Sequence, residues 1–172
     1  AVPSSCPSPH CWGTADETMV CDWFDTITLN ANPASGTILT DRSVRWGRYD
    51  VTADVPDLFT GVDFAVNAGL NAVTFRNVRN VQEISFESTR IGLVSAGLVR
   101  VNVESPEPGG DTYRLRSLPS APFFVRRNLQ QVSQACPSTS AAASWCFDTT
   151  TGDLVLHEPG GAGVANWEFV LP

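Results

Sequence analysis

From residue 20 onward the chain alternates apolar and polar side chains almost one by one. Val62, Phe64 and Val66 alternate with Asp63, Ala65 and Asn67. In "LVRVNVES", Val99, Val101 and Val103 share one face, while Arg100, Asn102 and Glu104 share the other. "QEISFES" sets Ile84 and Phe86 against Glu83, Ser85 and Glu87, and "NWEFVL" puts Trp167, Phe169 and Leu171 on one side. A period of two is that of a β-strand with one face buried and one wet. The same alternation, less regular, predicts strands over 23–29, 37–40, 72–78, 112–118, 122–126 and 153–158.

Breaks in the pattern carry turn chemistry: Asn32-Pro33, Ser35-Gly36, Pro106 through Gly110, and Gly160-Gly161. In "SVRWGRYDV" the apolar phase shifts at Gly47, from Val44 and Trp46 to Tyr49 and Val51, which predicts a β-bulge. "FDTTTGDLVLH" predicts a hairpin whose Gly152 adopts a positive φ. The single helix expected is short, "NLQQVSQA" at 128–135, with Leu129 and Val132 three apart and Cys136-Pro137 ending it.

Many short strands with almost no helix predict an all-β fold, an antiparallel β-sandwich of jelly-roll or Ig-like type with disulfide-closed loops near both ends. The alternative is a short parallel β-helix, because "NAVTFRNVRNVQEISFESTRIGLV" has the spaced Asn and alternating apolar positions of stacked rungs. A chain of 172 residues buries one core without help from a metal. The expected organisation is an irregular N-terminal arm over 1–19 and a single β domain over 20–172. The opening "AVPSSCPSP" lacks the basic and apolar regions of a signal peptide, and no apolar run is long enough to span a membrane.

Cysteine spacing sets the expected compartment. Nine residues separate Cys11 from Cys21, and nine separate Cys136 from Cys146. With no Cys-x-x-Cys and only two His, this is not zinc-site spacing. Paired structural cysteines point to an oxidising, extracellular or cell-surface location. The repeated gap favours the disulfides Cys11–Cys21 and Cys136–Cys146, with Cys6–Cys21 or Cys6–Cys11 as the competing pairing. On the first scheme Cys6 is left unpaired or joins a second chain.

A net charge of −7 argues against nucleic-acid partners, which call for a basic face. All eleven basic residues are Arg, and no Asn-x-Ser/Thr acceptor for N-glycosylation occurs. The arginines recur within strands: Arg42, Arg45 and Arg48; Arg76 and Arg79; Arg114 and Arg116; Arg126 and Arg127. Cross-strand ion pairs and a protein interface both use Arg in this way.

Candidate chemistry is sparse. Asp50, Asp54, Asp57 and Asp63 surround a loop containing Pro56 and Gly61, and such a loop can offer carboxylates and carbonyls to calcium, the one cofactor the sequence suggests. Trp12, Trp23 and Trp145 flank cysteines; buried they are core material, and exposed they would offer flat faces to sugar rings. A Ser-His hydrolase requires His10 or His157 to sit beside a Ser or a carboxylate, and no "GxSxG" turn marks one of the fifteen Ser. A paired-carboxylate hydrolase has eighteen acids to draw on, but their separation is a property of the fold.

The reading these features favour is an extracellular structural or adhesive β-domain, not an enzyme, that self-assembles or attaches to a surface. Its partners would be copies of itself or another extracellular protein. The alternatives are a carbohydrate-binding module, with or without calcium, and a small secreted hydrolase.

Overall fold

The structure, a computed structural model, describes residues 11–13, 18–21, 24–28, 35–40, 42–46, 49–55, 60–104, 108–136, 142–160 and 163–172. The described residues hold strands throughout, with one 3-10 turn at Ala68–Leu70 and no α-helix.

Three strands near the N-terminus, β1 (Cys11–Gly13), β2 (Thr18–Cys21) and β3 (Phe24–Thr28), form a small antiparallel sheet. Strand pairing therefore reaches into the segment expected to be irregular, while 1–10 lie outside the described residues. The remaining strands are β4 (Ser35–Thr40), β5 (Ser43–Trp46), β6 (Tyr49–Ala53), β7 (Thr60–Asn67), β8 (Ala72–Arg76), β9 (Val81–Phe86), β10 (Gly97–Glu104) and β11 (Pro108–Leu115). They continue with β12 (Val125–Arg127), β13 (Gln130–Gln131), β14 (Ser144–Asp148), β15 (Asp153–Gly160) and β16 (Val164–Leu171).

These thirteen strands make two sheets. One has seven strands in the order β13-β12-β16-β10-β8-β7-β4, and the other has six in the order β14-β15-β11-β9-β6-β5. The expected alternation sets their faces. Val62 and Phe64 of β7, Val99, Val101 and Val103 of β10, and Trp167, Phe169 and Leu171 of β16 are buried. They belong to one core with Tyr49, Val51, Ile84, Phe86, Tyr113, Leu115, Leu154 and Leu156 of the six-stranded sheet. Ring contacts join the two sheets directly: Tyr49 to Phe64 at 4.7 Å, Phe75 to Tyr113 at 5.6 Å, and Phe75 to Phe86 at 5.7 Å between centroids.

Neither sheet is purely antiparallel, which corrects the expectation for the fold. β8 runs parallel to β10 and β9 runs parallel to β11. The chain passes from β8 to β9 across the sheets and then repeats the passage from β10 to β11, so two consecutive units stack in parallel. This is local rung geometry of the kind the alternative reading expected for 71–94, here flanked by antiparallel neighbours β7, β16, β6 and β15. Parallel pairing follows from connectivity, since the link from β9 back to β10 must return the chain to the end from which β8 started.

Two local expectations are also corrected. Gly47 lies outside the described residues; on either side of it β5 and β6 pair antiparallel with Trp46 opposite Tyr49, so the phase changes between two strands and not within one. The helix expected over 128–135 is instead a hairpin, β12 to β13, turning at Asn128 and Leu129 with φ of 50° and 67°. Two successive positive φ values close a tight hairpin and cannot continue a helix.

The hairpin expected at Thr151-Gly152 is present between β14 and β15. Gly152 has φ of +77°, its N–H donates to Asp148 O at 2.8 Å, and Asp148 stands opposite Asp153. The Asp148 carboxylate accepts the backbone N–H of Thr150 at 2.8 Å, which holds its pKa below the usual range.

In both sheets the strands keep the same lateral order, β7-β8-β10-β16 over β6-β9-β11-β15. The connections β6 to β7, β8 to β9, β10 to β11 and β15 to β16 all cross between sheets at the same end of the strands, as the registers of Asp63 with Arg76 and Glu104 with Val164 require. This crossing end holds the polar cluster described next.

Candidate functional site

Two acids break the apolar rule of the inner faces at the crossing end. Asp111 lies in phase with Tyr113 and Leu115 on β11, and Glu158 lies in phase with Leu154 and Leu156 on β15. The two acids stand directly opposite each other in the β11–β15 ladder. Asp111 is 6% exposed and Glu158 is 2% exposed.

Among the described residues the seven-stranded sheet supplies hydrogen-bond partners for Glu158 only. Arg127 of β12 grips it with a fork, Nε to Oε2 at 2.9 Å and an amino nitrogen to Oε1 at 2.6 Å. The indole N–H of Trp167, which stands opposite Arg127 in the β12–β16 ladder, donates to Oε2 at 2.8 Å. Its hydrogen bond to Glu158 also holds the Arg127 guanidinium above its ordinary pKa. Such a fork fixes geometry as well as charge.

Asp111 is held differently. Among the described residues its side-chain contact is a long bond from the Tyr113 hydroxyl to Oδ2 at 3.4 Å. Burial pushes its pKa up to about 7; the negative charge of Glu158 adds to the rise, the Tyr113 bond opposes it, and Asp54 adds a little more. Near neutrality Asp111 is therefore poised between its protonated and ionised forms. Burial raises the Tyr113 phenol as well, with Asp111 and Glu158 contributing. Paired acids whose environments separate their proton affinities are the raw material of acid–base chemistry. Here both carboxyl groups are shut between the sheets, and both oxygens of Glu158 are occupied, so the arrangement binds sheet to sheet.

The structure disperses the sequence-based candidates. Asp50 and Asp63 alternate with inward-facing Tyr49 and Phe64 and so lie on the outward faces of different sheets. Asp50 pairs with Arg116 at 3.1 Å, and Asp63 accepts bonds from Thr37 at 2.6 Å and from Asn77. Asp54 is exposed near the crossing end, and Asp57 lies outside the described residues. Asp50 and Asp63 are thus not brought together, because successive strands carry them to opposite sides. Among the described residues no group of three or more His, Cys, Asp or Glu is placed to hold a metal.

Trp145 is buried, with its indole N–H donating to Val132 O at 3.0 Å, so it packs in the core and offers no free ring face. Trp12 stands in β1 opposite Val20, and Trp23 lies outside the described residues. Cys136 and Cys146 form the expected disulfide, with a Cα–Cα distance of 5.2 Å. Cys11 and Cys21 stand directly opposite in the β1–β2 ladder, a separation that suits a disulfide. Cys6 and His10 lie outside the described residues.

His157 stands opposite Ser144 on one side and Thr112 on the other. Ser144 is 3% exposed and its hydroxyl has no hydrogen-bond partner among the described residues, so no bond ties it to His157. The arginines serve cross-strand pairs: Arg114 reaches Glu83 at 2.8 Å and Asp153 at 3.4 Å, and Arg100 reaches Glu168 at 3.6 Å.

Sequence reading missed Asp111, Glu158 and the role of Arg127. The available signal was phase: each acid falls on the same parity as the apolar residues of its own strand. Compared with family models, curated proteins and solved structures, the chain matches none. Among the described residues no helix is long and apolar enough to cross a membrane.

Proposed function

We propose that the chain is an extracellular structural or adhesive β-domain, a two-sheet sandwich that assembles with copies of itself through a sheet edge. The observation that carries this reading is β4, the outer strand of the seven-stranded sheet. Its six residues, "SGTILT", contain no charge and no proline, and among the described residues they pair with β7 alone. Uncharged, proline-free edges invite another strand, and proteins that stay monomeric blunt them.

The other edges of the two larger sheets are blunted. β13 is two residues long, β5 lies against β2 and β3 of the small sheet, and β14 is flanked by a bridge from Gln134 to Trp145. The Cys136–Cys146 disulfide supports an oxidising compartment. The buried state of Trp145 and Trp167 gives the sugar-binding alternative no exposed platform at those positions.

Sedimentation velocity over a range of concentrations, with and without reductant, tests the proposal. The expected result is a reversible oligomer that the double substitution Ser35→Lys and Thr37→Lys dissociates without changing the circular dichroism spectrum. Both positions are exposed, so charge there guards the edge without entering the core. A wild-type protein that stays monomeric throughout overturns the proposal.

A further inference from the structure

Among the described residues, Asp111 is the one acid of the inter-sheet cluster whose burial has no matching cation. The titratable and charged groups around it are Glu158 on β15, Asp54 just after β6, Tyr113 on its own strand and, through Glu158, Arg127 on β12. The one charged residue of neighbouring β9, Glu83, stands beside Thr112 on the opposite face. Three acids thus share a corner in which the Arg127 fork serves Glu158 alone. Two facing carboxylates in a shielded site do not both ionise without a large penalty.

We propose that Asp111 and Glu158 form a proton-operated clamp on the crossing end. A proton on Asp111 leaves Glu158 as the sole anion opposite Arg127 and Trp167, and its loss opens the ends of β11, β12, β15 and β16. The step is a simple acid dissociation: the O–H bond of the Asp111 carboxyl breaks and the proton goes to solvent. This inference goes beyond the assembly reading and does not depend on it.

The direction of the pH dependence follows from the raised proton affinity of Asp111. Its pKa is about 7 folded against an ordinary 3.8. The folded chain therefore holds this proton more tightly than the unfolded chain. The stabilisation is complete below about 3.8 and is lost as pH rises through about 7. A proton held across that interval is worth up to a factor on the order of a thousand in the opening equilibrium.

The test is hydrogen exchange read by mass spectrometry from about pH 5.5 to about pH 8.5, corrected for intrinsic exchange, on wild type and Asp111→Asn. Peptides covering 108–113, 125–128, 155–160 and 164–168 should lose at least tenfold in protection across this range in wild type and remain protected in the variant. The peptide covering 97–103 should not change. Carbon-13 titration of the Asp111 carboxyl in wild type gives an independent reading should the variant fold poorly, with a midpoint expected near 7. A midpoint near 4, or a wild-type protection profile flat with pH, overturns the proposal. Equal pH-dependent loss in wild type and a well-folded Asp111→Asn overturns it too.

Discussion

The indole N–H of Trp167 donates to Glu158 Oε2 at 2.8 Å, so a residue of the seven-stranded sheet holds an acid of the six-stranded sheet. Trp167 is fully buried, and its ring also fills core volume. The two roles separate by substitution. Trp167→Phe keeps most of the volume and loses a bond to a charged acceptor, at a cost of about 1.5–3 kcal/mol. Trp167→Ala loses both and costs about 3–5 kcal/mol. Urea unfolding of the pair, followed by circular dichroism, should show this order.

Gly152 is required twice over. Its φ is +77°, and a Cβ there would stand 2.6 Å from Leu118 O, a backbone atom that cannot swing aside. Gly97, with φ of +70°, meets nothing within 4 Å. Gly152→Ala should therefore cost about 2–3 kcal/mol and Gly97→Ala about 1 kcal/mol. Thermal melts of the two variants side by side measure the clash, since the backbone strain is common to both.

Leu129 sits at the tip of the β12–β13 hairpin with φ of 67° and is 77% exposed. Its side chain gains little there and its backbone is in the region that favours glycine. Leu129→Gly should raise stability by about 0.5–1 kcal/mol, the relief of strain less the entropy of the freer unfolded chain. Chemical denaturation read at the midpoint with an unchanged slope checks it.

The Cys136–Cys146 bond closes a loop with a sequence separation of 10. Replacing both cysteines by Ser should cost about 2–3 kcal/mol, most of it by releasing the unfolded chain. The β14–β15 hairpin should persist, since its five register pairs from Ser144–His157 to Asp148–Asp153 do not use the disulfide. Amide protection of residues 144–148 in the double variant is the measurement.

The strands were legible because each tells its own faces: Val99, Val101 and Val103, or Ile84 and Phe86, need no neighbour to be recognised. Pairing partners were not, because the same alternation suits parallel and antiparallel ladders. Only connectivity separates them, and nothing local in "NAVTF" says that it will lie parallel to "LVRVNV". Where a phase changed, between Trp46 and Tyr49, an insertion within one strand and the passage from one strand to the next leave the same trace. At Leu129 the i, i+3 spacing to Val132 imitated a helix, while Asn128 and Leu129 in fact hold the positive φ values of a turn.

The site was half legible for a different reason. An acid on the apolar parity of a strand, as at Asp111 and Glu158, announces a buried charge, but its partners Arg127 and Trp167 come from the other sheet. Asp50 and Asp63, close in the chain, were separated by the strands that carry them. Asp50 and Asp63 are thirteen positions apart in the chain, yet they face away from each other across the core.

The shared lateral order of the two sheets makes the breadth of this molecule a count of identical steps. Each unit of strand, crossing and strand adds one member to both sheets at once, as β8–β9 and β10–β11 do. One more such unit spliced between β9 and β10 would widen the body by one strand in each sheet. It would disturb neither the edge at β4 nor the hairpin at β13. The chain is built to a template that can be lengthened like a staircase, with both landings left in place.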